Sequence, residues 1–202
     1  MVSFRKLEHK LCLVNNEKYV NLLCKTLNAE ANGLLCYGYV DEEAGLTFES
    51  LAPTLLVDGD YSVSGDAGVV LKIRAETVAD TEIIPIENKA LTKCFEDRIK
   101  LVEQHYYQNT DTLECRAITE LDPFRHPFFP DDLQALLTKD GIKPEAIWVR
   151  TKKHLGCHQG TFIIRGKLLD EPFHDYGIHA GDTITFGALN SPDRGPFCAI
   201  IL

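Results

Sequence analysis

No CxxC pair occurs in this 202-residue chain, and there is no GxxxxGK phosphate loop, no GxGxxG turn after a strand, no GxSxG elbow and no HExxH helix. The usual signatures of zinc knuckles, nucleotide cradles, serine hydrolases and zinc proteases are therefore missing. No apolar run approaches the roughly 18 residues that span a bilayer. Met1–Lys10 carries charges where a secretory leader needs an apolar stretch. Net positive charge is also lacking: the formal value is -9, which opposes general attraction to nucleic acid or anionic lipid. The seven cysteines, at 12, 24, 36, 94, 115, 157 and 198, are odd in number and mostly flanked by apolar residues. That excludes an evenly paired secreted scaffold and predicts buried thiols in a reducing cytoplasm.

What is present is a globular composition, 45% hydrophobic and 25% charged, sufficient for a core without disulfides or metal. Tyr19, Leu22, Leu23, Leu27 and Ala31 predict a helix over Asn16–Asn32, stopped at Asn32-Gly33. Leu34–Val40 and Leu46–Leu51 predict strands joined through Asp41–Gly45, and Leu55–Val57 and Val69–Val78 continue the β pattern beyond a Gly/Asp-rich stretch. Leu91, Phe95, Ile99, Val102 and Tyr106, spaced by 4, 4, 3 and 4, form the apolar stripe of a helix over 88–107. A boundary falls near 109, although one continuous sheet crossing it is the alternative. Beyond it, Thr112–Glu120 reads as a strand and Asp131–Thr138 as a short helix. Ala146–Lys152 and Thr161–Leu169 read as strands joined by the turn His154–Gly160, and Thr183–Phe186 and Phe197–Leu202 as further strands. The fold class expected is α+β: a mixed N-terminal part (1–109) with two helices and a small sheet, then a β-rich C-terminal domain (110–202), a bent sheet or partial barrel with one short helix.

Trp148-Val149, Gly166-Lys-Leu-Leu-Asp-Glu-Pro172 and Gly177-Ile-His-Ala-Gly-Asp-Thr-Ile-Thr-Phe186 resemble the core of the YegJ-like family, a bacterial domain family of unknown activity. Asp170 stands where the family pattern has Asn. The resemblance covers about 40 residues and implies a strongly bent sheet or partial barrel in a bacterial protein. Its glycines and proline punctuate the fold, Gly166 by allowing close strand packing and Gly181-Asp182 by turning into a strand.

Three kinds of chemistry are open. His154, Cys157 and His158, with His174 and His179 from later loops, supply imidazole and thiol groups suited to Zn²⁺, and so to a metal-dependent enzyme, though their spacing matches no established zinc pattern. Cys157 beside a histidine could also serve as a nucleophile. Alternation puts Trp148, Arg150 and Lys152 on one face of a strand and Arg165 and Lys167 on one face of the next. If those faces coincide, they suit an anion or a single nucleic-acid strand. Asp58-Gly-Asp60-Tyr-Ser62 resembles the start of a calcium loop, but Val63 and Val69 break that pattern, and a polar turn is expected instead. Phe124, Phe128 and Phe129, in a proline-rich connection, require burial or a partner. The absence of a nucleophile–base pair, phosphate cradle or complete metal motif leads to a binding or interaction module without catalysis. It would have a protein partner, a toxin if the protein is of the immunity type, no membrane role and no cofactor.

Overall fold

The computed structural model describes residues 3–28, 30–65, 68, 70–191 and 195–201. Ala29, Val69 and Leu202, assigned above to a helix and two strands, lie outside them. The fold is α+β, and the chain divides into two compact units, Met1–Tyr107 and Gln108–Leu202.

The first unit is an antiparallel sheet of β1 (Lys10–Val14), β2 (Gly33–Asp41), β3 (Gly45–Val57), β4 (Asp60–Val63), β5 (Lys72–Arg74) and β6 (Ile83–Ile86). The order is β4-β3-β2-β1-β6, with β5 also pairing β3. Residues 34–40 of β2 are all buried, which is why they read as an unbroken apolar run rather than an alternation. Leu35, Tyr37 and Tyr39 pack with Ile99 and Val102 of α3 (Glu96–His105), while α1 (Glu17–Leu27), burying Val20 and Leu23, touches β2 and β3. The stripe expected over 88–107 does meet the core, but on two helices, α2 (Lys89–Cys94) and α3, separated at Phe95. α1 stops earlier than expected: Asn28, at φ 50°, takes the left-handed cap and donates its N–H to the Cys24 carbonyl. The hairpin at 41–45 forms as expected. Asp41 Oδ1 accepts the Glu43 and Ala44 amides, both at 2.8 Å, and Gly45 supplies the positive φ.

The second unit corrects two expectations. Residues 110–117 form a helix, α4 (Thr110–Ala117), not a strand, because the Asn109 side chain caps it by accepting the Thr112 amide. Residues 132–139 form a strand, β7 (Asp132–Lys139), not a helix. Leu133, Ala135 and Leu137 face one core at period two, and this alternation overrides the acidic start. β8 (Ile142–His158), β9 (Thr161–Leu168), β10 (Thr183–Ser191) and β11 (Gly195–Ile201) follow, and the five strands close as β10-β11-β7-β8-β9. A meander of five antiparallel strands begins and ends in the same direction, so the closing pair, β11 with β7, is parallel. The seventeen-residue β8 serves two neighbours, β7 along its first part and β9 along its second. Bulges at Lys152 and Leu155 supply the curl. Gly166 leaves no room for a side chain against β8: a Cβ there would lie 2.7 Å from the Arg150 carbonyl oxygen.

A 3-10 turn, Thr119–Phe124, puts Leu121 and Phe124 into the barrel core. Two arginines fasten this entry segment. Arg116 and Asp131, 4% and 5% exposed, form a two-pronged ion pair, with Nε to Oδ1 at 3.0 Å. Arg125 bonds Asp122 Oδ1 at 3.0 Å and the carbonyls of Cys115 and Pro130. No helix among the described residues is long and apolar enough to cross a membrane.

Candidate functional site

The β8–β9 hairpin forms, but its turn is shorter than the expected His154–Gly160. Pairing continues to His158↔Thr161, and only Gln159 and Gly160, at φ 49° and 78°, make the turn. His154, Cys157 and His158 thus lie along a strand end. His154 and Cys157 stand opposite Ile164 and Phe162, and His158 opposite Thr161. His154 Nε2 is 2.9 Å from the Gly156 carbonyl oxygen, and Cys157 is an exposed free thiol. His174 and His179 sit in the crossover between β9 and β10, each against its own carboxylate. His174 Nδ1 is 3.2 Å from Glu145 Oε2, and His179 Nδ1 is 2.7 Å from Glu171 Oε1. Among the described residues, no three His, Cys, Asp or Glu side chains gather as a metal would require.

The cationic wall does assemble in part. Arg150 pairs with Lys167 in register, but the bulge takes the expected Lys152 out of the pairing, and Lys153 stands opposite Arg165 instead. Registered partners share a face, so these four cations lie together. Trp148 is half-buried two residues from Arg150, its ring 5.0 Å from that of His126, which also meets Phe128 and Phe129. Half of this charge is neutralised. Asp132 clamps Arg150 with two bonds, at 2.7 and 3.0 Å, and Asp111 holds Lys153 at 3.1 Å. Arg165 and Lys167, both exposed, carry the remainder.

Sequence reasoning passed over the most exposed aromatic among the described residues. Phe173 lies in the crossover 169–182 with 90% of its surface in solvent, although the backbone around it is tied at several points. Its amide donates to Glu145 Oε1 at 2.9 Å. Glu171 accepts the Ala180 amide at 2.8 Å, and Asp182 accepts that of His179 at 2.8 Å. Asp170 Oδ2 accepts the Trp148 amide at 3.3 Å. Tyr176 is the buried peg of the crossover: it joins the barrel core, and its hydroxyl donates to the Lys143 carbonyl at 2.6 Å. Lys139 Nζ completes the attachment by donating to the Tyr176 carbonyl at 3.0 Å. The ring of Phe173 is edge-on to His174 at 5.1 Å. The carboxylate of Glu171 pushes the His179 imidazole above its ordinary range, and the same bond, aided by the Ala180 amide, holds Glu171 below the usual carboxylate range. The segment carries four carboxylates, Asp170, Glu171, Asp175 and Asp182, and no lysine or arginine. The signal available beforehand was a phenylalanine between Pro172 and His174 in a polar stretch with no apolar neighbour. Compared with family models, with curated proteins and with solved structures, the chain finds no match.

Proposed function

We propose that the protein is a binding module without catalysis, whose partner is a protein presenting an apolar pocket ringed by basic side chains, and that Phe173 is the anchor. The observation that carries this reading is a solvent-exposed aromatic ring on a backbone already fixed by hydrogen bonds. A free exposed phenylalanine gains about 1.5–3 kcal/mol on full burial, and a fixed loop avoids much of the ordering cost that usually erodes such a gain. The crossover carries four carboxylates and no lysine or arginine, a charge that favours basic partners. The resemblance to the YegJ-like family, which implies a strongly bent sheet or partial barrel and no catalytic activity, is compatible with this reading.

Selection of a displayed random-peptide library on the whole protein tests it. Basic peptides with one or two apolar residues should be enriched, and Phe173→Ala should weaken them at least roughly tenfold. Enriched peptides that bind Phe173→Ala equally well would refute the assignment. A second reading, anion binding through Arg165 and Lys167, is favoured by their shared exposed face. It predicts salt-sensitive binding of a polyanion, abolished by Arg165→Glu with Lys167→Glu.

A further inference from the structure

Pairing of β3 with β5 sets Glu49 opposite Lys72, and pairing of β3 with β2 sets Glu49 opposite Tyr37. All three therefore share the sheet face that α3 covers. Between that face and α3 opens a cleft of about 570 Å³ lined by Glu49, Lys72, Arg98, Leu101, His105 and Tyr106. This volume lies within the range of small-molecule sites. The charges within it are unevenly used. Glu49 is 7% exposed and meets Arg98 through a single 3.3 Å contact from one guanidinium nitrogen. Among the described residues that is the one polar contact Arg98 makes, so a planar fork built for two-point binding is engaged at one point. Lys72 donates to the Tyr106 hydroxyl and stands 5.1 Å from that ring's centroid, leaving two of its three N–H donors. Leu101 is 61% exposed along the same helix, an apolar wall beside the two cations.

We propose that this cleft binds a small organic oxyanion, a carboxylate or phosphate ester bearing a short apolar tail. Its oxygens bridge the Lys72 ammonium and the outer side of the Arg98 guanidinium, and its tail lies on Leu101. Glu49 also lines the cleft, but it is paired with Arg98, and the two cations Lys72 and Arg98 outweigh its one negative charge there. The site lies in the unit Met1–Tyr107 and goes beyond the docking role of Phe173.

The test is a titration of the full chain with hexyl phosphate, followed through backbone amide shifts, with hexylammonium as the control of opposite charge. Saturable shifts are expected at 70–74 and 98–106, with none from hexylammonium. Lys72→Gln, an exposed change, should weaken binding roughly tenfold. Arg98→Lys keeps a charge over Glu49, so the fold is retained, but it loses the fork and should also weaken binding. Phe173→Ala should leave the affinity unchanged, which separates this site from the docking role. The proposal is overturned by an absence of saturable shifts at about 10 mM probe, a concentration that exposes even millimolar affinity. It is equally overturned by equal shifts from hexylammonium, or by wild-type affinity in both variants.

Discussion

At the start of β7 the charged groups are buried and paired, whereas around its end they are exposed and hold a loop whose aromatic ring is left in solvent. Arg116 with Asp131 ties α4 to the start of β7, and Arg150 with Asp132 ties that start to β8. Glu145, partly buried, and the exposed Glu171 and Asp182 instead tie down the crossover 169–182. Burial decides what each arrangement does. A buried ion pair costs desolvation to form and far more to break, so it fixes position absolutely. Exposed carboxylate bonds contribute little to global stability but still remove local freedom, which is what a recognition loop needs.

The largest effect should come from the buried side. Asp131→Ala strands the Arg116 guanidinium and should cost about 3–5 kcal/mol in denaturant unfolding, whereas Glu145→Ala, removing a partly buried carboxylate that holds one amide and one imidazole, should cost about 1 kcal/mol. Equal losses would erase the contrast. Gly166→Ala comes next. Its Cβ would meet the Arg150 carbonyl oxygen at 2.7 Å and Val149 Cγ1 at 2.6 Å, overpacking that should cost about 1–3 kcal/mol. A smaller difference separates two thiols. Cys115, buried beside the arginine cluster, is pushed up to about 11 by desolvation, so it should resist alkylation until unfolding, while exposed Cys157 should react in the native protein. Mass mapping of the labelled sites checks this.

The smallest effect is a pH window on the crossover. His179 is raised above its ordinary 6.5, so its contribution is complete below 6.5 and fades as pH rises through the folded value. Glu171 is lowered below its ordinary 4.5, so its contribution is complete above 4.5 and is lost as pH falls through the folded value. The pair is therefore strongest between 4.5 and 6.5. An imidazole NMR titration should place the His179 midpoint above 6.5, and Glu171→Gln should return it toward 6.5. An unmoved midpoint would mean that the pair does not form in solution.

The regions that were legible in the sequence were those where one period dominates. Trp148, Arg150 and the buried Ile147 and Val149 alternate along β8, and the stripe from Leu91 to Tyr106 keeps helical spacing even across the break at Phe95. Between 110 and 138 local signals compete. Thr112, Ile118 and Thr119 favour a strand, but the Asn109 cap wins. Asp131 and Asp132 look like a helix start, but each is claimed by an arginine, Arg116 or Arg150. β4 was not expected: the polar turn read over Asp58–Ser62 is confined to Asp58-Gly59, whose φ values of 51° and 89° make a two-residue hairpin turn, and the chain pairs again from Asp60. β6 was hidden by Pro85, which is tolerated because β6 is an edge strand. Burial of Arg116 and Arg125 has no local signature, since their partners are set by tertiary approach. The histidines near 154 and 174 looked like one cluster only while β8 was read as stopping at Lys152.

The most direct test of the account is ¹⁵N relaxation at the amides of Phe173 and His174, in the wild type and in Glu145→Ala. The account predicts order parameters near the rigid value of about 0.85 in the wild type, falling in Glu145→Ala while those of β8 and β9 stay unchanged. Values below about 0.6 at Phe173 in the wild type would mean that the ring sits on a mobile loop, and would contradict the claim that its exposure is preordered.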